Sequence, residues 1–166
     1  MTGSRRSPSW PVAAVTTGGP DQTRALAHRV AVGLRAGDRL LLTGPLGAGK
    51  TCFVQGLAAG LGVDPGYRVT SQTFTLLGLY PGRVPLYHFD AYRVRDPEEL
   101  LDWGDEALLG GDGVVAVEWG EGLKRRLPPP ILCVRFRILS EHDRRIRFYG
   151  HAWRFAALIA GIGGED

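Results

Sequence analysis

Lysine is nearly absent: Lys50 and Lys124 are the only two, and arginine carries the rest of the positive charge. A formal charge of +3 is mildly basic and does not by itself call for a nucleic-acid partner. Cysteine is equally scarce. Cys52 and Cys133 form neither a CxxC pair nor a disulfide framework, which excludes a disulfide-stapled secreted domain and agrees with a reducing compartment. No apolar run approaches the length of a membrane span. Residues 1–9 are polar, with two arginines and no apolar stretch behind them, so the signal-peptide pattern is missing as well. There are no internal repeats. These absences point to a soluble, cytoplasmic protein with no membrane partner. At 166 residues the chain is long enough for one cored domain and too short for two ordinary ones. We expect a disordered tail over 1–9, one domain over 10–160 and a C-terminal tail over 161–166.

What the chain does contain is glycine, concentrated in Gly44-Pro45-Leu46-Gly47-Ala48-Gly49-Lys50-Thr51. Glycine, four residues and then Gly-Lys-Thr is the phosphate-binding loop pattern. A polyphosphate packs negative charge into a small volume and needs many donors at close range. Glycines let successive N–H groups turn inward, and the helix that follows adds its positive dipole end. The nucleotide-binding stretch is therefore Pro45, Leu46, Gly47, Ala48, Gly49, Lys50, Thr51 and Cys52. Lys50 reaches the β- and γ-phosphates, and the Thr51 hydroxyl ligates magnesium. The context agrees, because Arg39–Thr43 reads as a buried strand and Thr51–Leu61 carries Phe53, Val54, Leu57 and Leu61 at helical spacing. The rival reading is a glycine-rich turn with an exposed lysine.

Around this motif the pattern predicts an edge strand over 10–16, a turn over Thr17–Asp21 and a helix over 20–35. A hairpin follows, with strands over 75–80 and 84–90. Asp96-Pro97-Glu98-Glu99 is a helix start, with an aspartate cap, proline at the first position and glutamate three residues after the cap. That helix is expected to end near Trp103, with a further short turn over 104–109. The apolar run 113–118 has the form of a buried parallel strand ending in Glu118. Strands over 131–139 and 144–149 form a second hairpin, and 152–159 a last helix. The fold class is α/β: a three-layer phosphate-loop NTPase fold with a mainly parallel sheet and an antiparallel C-terminal hairpin.

Hydrolysis requires more than a phosphate loop. Magnesium takes a carboxylate contact from the end of a neighbouring strand, where ligands in open α/β sheets sit. Glu118 is placed for that role; the alternative is a glutamate opening an exposed loop. Asp90 also ends a strand and can orient the attacking water or support the metal shell; otherwise it is a helix cap or surface acid. His88 reads as a hydrogen-bonded structural histidine, and Arg93 as a phosphate-side cation or a partner for Asp90. Thr70, Ser71 and Thr73 form a hydroxyl-rich segment where nucleotide switches sense the γ-phosphate; the alternative is a polar loop. Arg135, Arg137, Arg145 and Arg147 share one face of the last hairpin. They suit RNA phosphate, an acidic partner or plain solvent, and no stacking-aromatic pattern lies between them.

Taken in order, Gly44–Thr51, Ser71–Leu76, Tyr87–Arg93, Asp96–Leu100 and Val117–Trp119 closely resemble the TsaE (YjeE) family. This is the bacterial ATPase family of tRNA threonylcarbamoyladenosine formation at position 37. The resemblance runs from about Thr23 to Leu127. It implies an ATPase, weak alone, that uses ATP and Mg2+ and acts on a TsaB–TsaD complex, meeting tRNA only indirectly. By position it implies that Lys50 holds phosphates, Thr51 and Glu118 serve magnesium, Asp90 is needed for hydrolysis and Thr73 belongs to a switch. Trp119 would lie beside the nucleotide or the partner. The turn over Thr17–Asp21 and Arg144 would lie near the adenine. Gln72 and Gly120 stand where the family has proline. The functional rivals are a small-molecule kinase, which shares the loop, and a non-catalytic scaffold gated by nucleotide.

Overall fold

The computed structural model describes residues 12–71 and 77–163. The chain runs β1 (Val12–Thr17), α1 (Pro20–Val32), β2 (Arg39–Thr43), α2 (Lys50–Gly60), β3 (Leu77–Tyr80), β4 (Leu86–Asp90), α3 (Pro97–Leu109), β5 (Val114–Glu118), β6 (Ile131–Ile138), β7 (Arg144–Gly150) and α4 (Ala152–Ile162). All seven strands among the described residues lie in one sheet, in the order β1-β7-β6-β2-β5-β4-β3. The centre, β4-β5-β2-β6, is parallel, and both edges are extended by antiparallel strands. The expected three-layer α/β fold is thus present, with its parallel part confined to the middle of a mixed sheet.

Two cores follow from the strand alternation. Leu40, Leu42, Ala116, Val134 and Phe148 face α1, α2 and α4, with Phe53 and Leu57 of α2 and Phe155 of α4 packed against them. On the other face Leu41, Val115, Val117 and Phe89 meet Leu100 and Leu108 of α3 in a smaller cluster. The central strands are buried on both sides, which is why they read as unbroken apolar runs. α3 does not stop at Trp103 but continues to Leu109 across a non-helical Gly104 (φ −120°, ψ 25°). A Cβ there would lie 2.7 Å from the Phe89 ring, so the break that the sequence suggests is a packing kink inside one helix. At its start Asp96 accepts from the Glu98 N–H at 3.0 Å, as expected of the cap.

Candidate functional site

The loop between β2 and α2 lies at the carboxyl end of the parallel strands. Gly44 has φ 145° and its α-carbon is pressed against β6: a Cβ would come within 2.7 Å of the Phe136 carbonyl oxygen. Gly49, at φ 101°, caps α2 in the left-handed region. An L-residue with a side chain is strained at both positions. The first N–H groups of α2, from Lys50 onward, have no carbonyl one turn back and face the loop. Lys50 is 5 % exposed. Its Nζ donates to the Gly44 oxygen at 2.6 Å and the Pro45 oxygen at 2.9 Å, and lies 4.0 Å from the centre of the Trp119 ring. Burial holds its pKa below the ordinary lysine value, with Glu118, Glu121 and Asp90 pulling the other way.

Thr51 and Glu118 meet. The Thr51 hydroxyl donates to Glu118 Oε1 at 2.9 Å, across 67 residues of sequence. Parallel pairing brings this about, because Leu42, one residue from the end of β2, is the register partner of Glu118 at the end of β5. The next strand sets Asp90 beside Glu118. Both carboxylates are 2 % exposed, which rules out the surface-acid and exposed-loop alternatives. Asp90 accepts from Ser71 Oγ at 3.0 Å and from the Tyr92 N–H at 2.9 Å. The hydroxyl-rich segment therefore touches Asp90 at Ser71, whereas Thr73 lies outside the described residues.

The chain turns sharply after Glu118. Trp119 has φ 61°, the one non-glycine left-handed residue among those described, and its N–H donates to the Leu42 oxygen at 3.0 Å. That conformation costs roughly 1–2 kcal/mol and is held by the strand beside it. It lays the indole over Lys50 and against Tyr92, ring centres 5.0 Å apart. From the far side Arg144 reaches the loop tip, donating to the Gly47 oxygen at 3.2 Å. Its register partner on β1 is Thr17, so the turn over Thr17–Asp21 and Arg144 come together beside the loop.

His88 departs from expectation. It is fully buried, yet neither ring nitrogen has a hydrogen-bond partner among the described residues. Its Nε2 stands 3.6 Å from Glu118 Oε1, just beyond hydrogen-bond reach. The Tyr92–Trp119–Lys50 stack was equally unforeseen. No local pattern signals it, since it depends on the backbone turn at Trp119.

The sheet order and the glycine loop ahead of α2 define a phosphate-loop NTPase-like α/β fold. The crystal structure of Bacillus subtilis YdiB is similar, with a TM-score of 0.75 and 33 % identity, over 94 % of this chain and 97 % of that one. The family described as "Threonylcarbamoyl adenosine biosynthesis protein TsaE" matches residues 17–146. The tRNA threonylcarbamoyladenosine biosynthesis protein TsaE of Treponema pallidum is 44 % identical over 113 residues, 68 % of this chain and 82 % of that protein. The Bacillus subtilis protein of the same name is 37 % identical over 148 residues, 89 % and 91 % of the two chains. The chain belongs to the TsaE family, whose members are named for tRNA threonylcarbamoyladenosine biosynthesis.

Proposed function

We propose that the chain is a magnesium-dependent ATPase that supports threonylcarbamoyladenosine formation at position 37 of tRNA by acting on a TsaB–TsaD complex. The observation that carries this reading is the 2.9 Å contact between Thr51 and Glu118 beside a glycine-lined loop. The two groups are a phosphate-loop hydroxyl and a strand-end carboxylate, the pair a nucleotide-bound magnesium ion requires. Among the described residues no three acidic, histidine or cysteine side chains cluster to hold a metal. The remaining ligands would accordingly be phosphate oxygens and water, as is usual for magnesium. When bound, magnesium neutralises charge developing between the β- and γ-phosphates.

The chain's own groups do the rest. Lys50 exchanges the Gly44 and Pro45 carbonyls for phosphate oxygens, and a nearby anion offsets the burial that depresses its pKa. The loop N–H groups and the start of α2 hold the phosphates. Asp90, buried next to Glu118, orients a water for attack. Arg144 and the Thr17–Asp21 turn border the base, and Trp119 shields Lys50 from solvent on the β5 side. Thr73, two residues after Ser71 in the sequence, is assigned to a γ-phosphate-sensing segment, and Cys52 to the first turn of α2 under the phosphates.

The test is reconstitution with TsaB and TsaD, counting modified tRNA per enzyme with and without ATP. Repeated turnover that depends on this chain and on ATP supports the proposal. Unchanged turnover without either refutes it. Stoichiometric transfer of labelled γ-phosphate to a small acceptor would establish the kinase instead.

A further inference from the structure

Among the described residues one face of the sheet is only partly covered. α1, α2 and α4 pack on the opposite side, while on this face α3 and the segment around Leu123 and Leu127 reach no further than β4, β5, β2 and the start of β6. Over β6, β7 and β1 this face forms a groove of about 1220 Å³ that runs to Thr43, Gly44 and Pro45 at the root of the phosphate loop. We propose that this groove binds the phosphate backbone of RNA, a direct contact where the family resemblance implies only an indirect one.

Four arginines set its character. Arg135 and Arg137 on β6 stand directly opposite Arg147 and Arg145 on β7. All four are exposed, and none is in an ion pair among the described residues. Like charges directly opposite each other across a strand pair repel, and this sheet carries two such pairs side by side. The β1 residues next to them are Ala14 and Thr16, which bring no countercharge. Glu121 is the sole carboxylate among the described residues lining the groove. An unbroken block of guanidinium groups matches an unbroken row of phosphates, because each fork takes two oxygens. Alternate residues along a strand are about 7 Å apart, comparable with the separation of successive phosphates in a nucleic-acid strand.

Two further features separate RNA from other anions. A groove of this size exceeds the roughly 300–1,000 Å³ of small-ligand pockets. Tyr149, next on the same face of β7 and level with Cys133, lines the groove at the end away from the phosphate loop and adds an aromatic ring beside the run of arginines. An acidic protein surface is the less suitable occupant, since Asp and Glu, the side chains that would answer the arginines, are depleted from protein interfaces.

The experiment is fluorescence anisotropy of the full chain with an unmodified tRNA transcript, without nucleotide, over a series of salt concentrations. Omitting ATP keeps the outcome independent of the proposed ATPase. The variants are Arg137→Gln with Arg145→Gln, and Arg135→Gln with Arg147→Gln. Each removes one repelling pair, so neither should melt below the parent. Each should weaken binding about tenfold near 0.1 M salt and shrink the slope of log K against log salt by about 1.4–1.8, the range for two phosphate contacts on single-stranded to duplex nucleic acid. No binding of tRNA at tens of micromolar protein in low salt overturns the proposal. So do variants with the parental slope, or displacement by poly-glutamate as effective as by unlabelled tRNA. Variants that lose TsaB–TsaD association while keeping tRNA affinity would assign the groove to a protein, and that also overturns it.

Discussion

Gly56→Ala sets two effects of opposite sign against each other. In the middle of a helix, alanine is favoured over glycine by about 1 kcal/mol. Gly56, however, is where α2 crosses α1. A Cβ there would lie 2.2 Å from the Arg24 carbonyl oxygen and 2.7 Å from the Ala27 Cβ. Neither obstacle can rotate away, so α1 must move by more than an ångström to restore ordinary contact. Overpacking of this kind costs about 1–3 kcal/mol and sometimes more, and backbone against backbone belongs at the upper end. The net expectation is a loss of about 2 kcal/mol, or about 4–8 °C in Tm for a chain of this length. Gly161→Ala in α4 is the control. Nothing lies within 4 Å of a Cβ there, so only the propensity gain remains and Tm should rise by about 2–4 °C. Thermal denaturation followed by circular dichroism reads both. A Gly56→Ala protein melting at or above the parent would refute the claim that α1 and α2 touch backbone to backbone.

Other expectations concern the site. Asp90→Asn keeps its shape but loses its charge, and should lower ATP turnover by about 10²–10³-fold while changing nucleotide affinity far less; equal losses in both would contradict a role in orienting water. Cys133 is buried, and burial pushes its thiol pKa up. The folded chain therefore keeps that proton longer than the unfolded one, and stability should fall as pH rises above the ordinary thiol range, a loss that Cys133→Ala should flatten. A thiol reagent at pH 8 should modify the half-buried Cys52 much faster than Cys133, and ATP should slow it; mass spectrometry of the labelled peptides distinguishes the two.

Much of this architecture is local in origin and was legible. The loop motif lies between an apolar strand and a helix, the run into Glu118 has no polar interruption, and β6 and β7 alternate. The convergence of Thr51 with Glu118 was legible only because strand ends collect ligands in such sheets. What escaped the sequence depends on distant pairing or on single backbone angles. The contact of Arg144 with Gly47 spans 97 residues; no window of sequence contains both, and only the family resemblance pointed to Arg144. Trp119 covers Lys50 because its φ is 61°, a value with no residue-type signature outside glycine and asparagine. Arg39 opens an apolar strand, yet it is buried because its guanidinium donates to the Leu108, Gly37 and Pro128 carbonyls. His88 was expected to be hydrogen-bonded, but neither ring nitrogen has a partner among the described residues, and the Glu118 oxygen 3.6 Å from its Nε2 accepts from Thr51 instead.

Calorimetric titration with a non-hydrolysable ATP analogue, with and without magnesium, tests the central claim most directly when run on the parent, Thr51→Ala and Glu118→Gln. If both side chains serve one cation, magnesium should tighten binding in the parent by at least tenfold and in either variant hardly at all, while magnesium-free affinities stay alike. Equal magnesium enhancement in all three proteins would contradict the account.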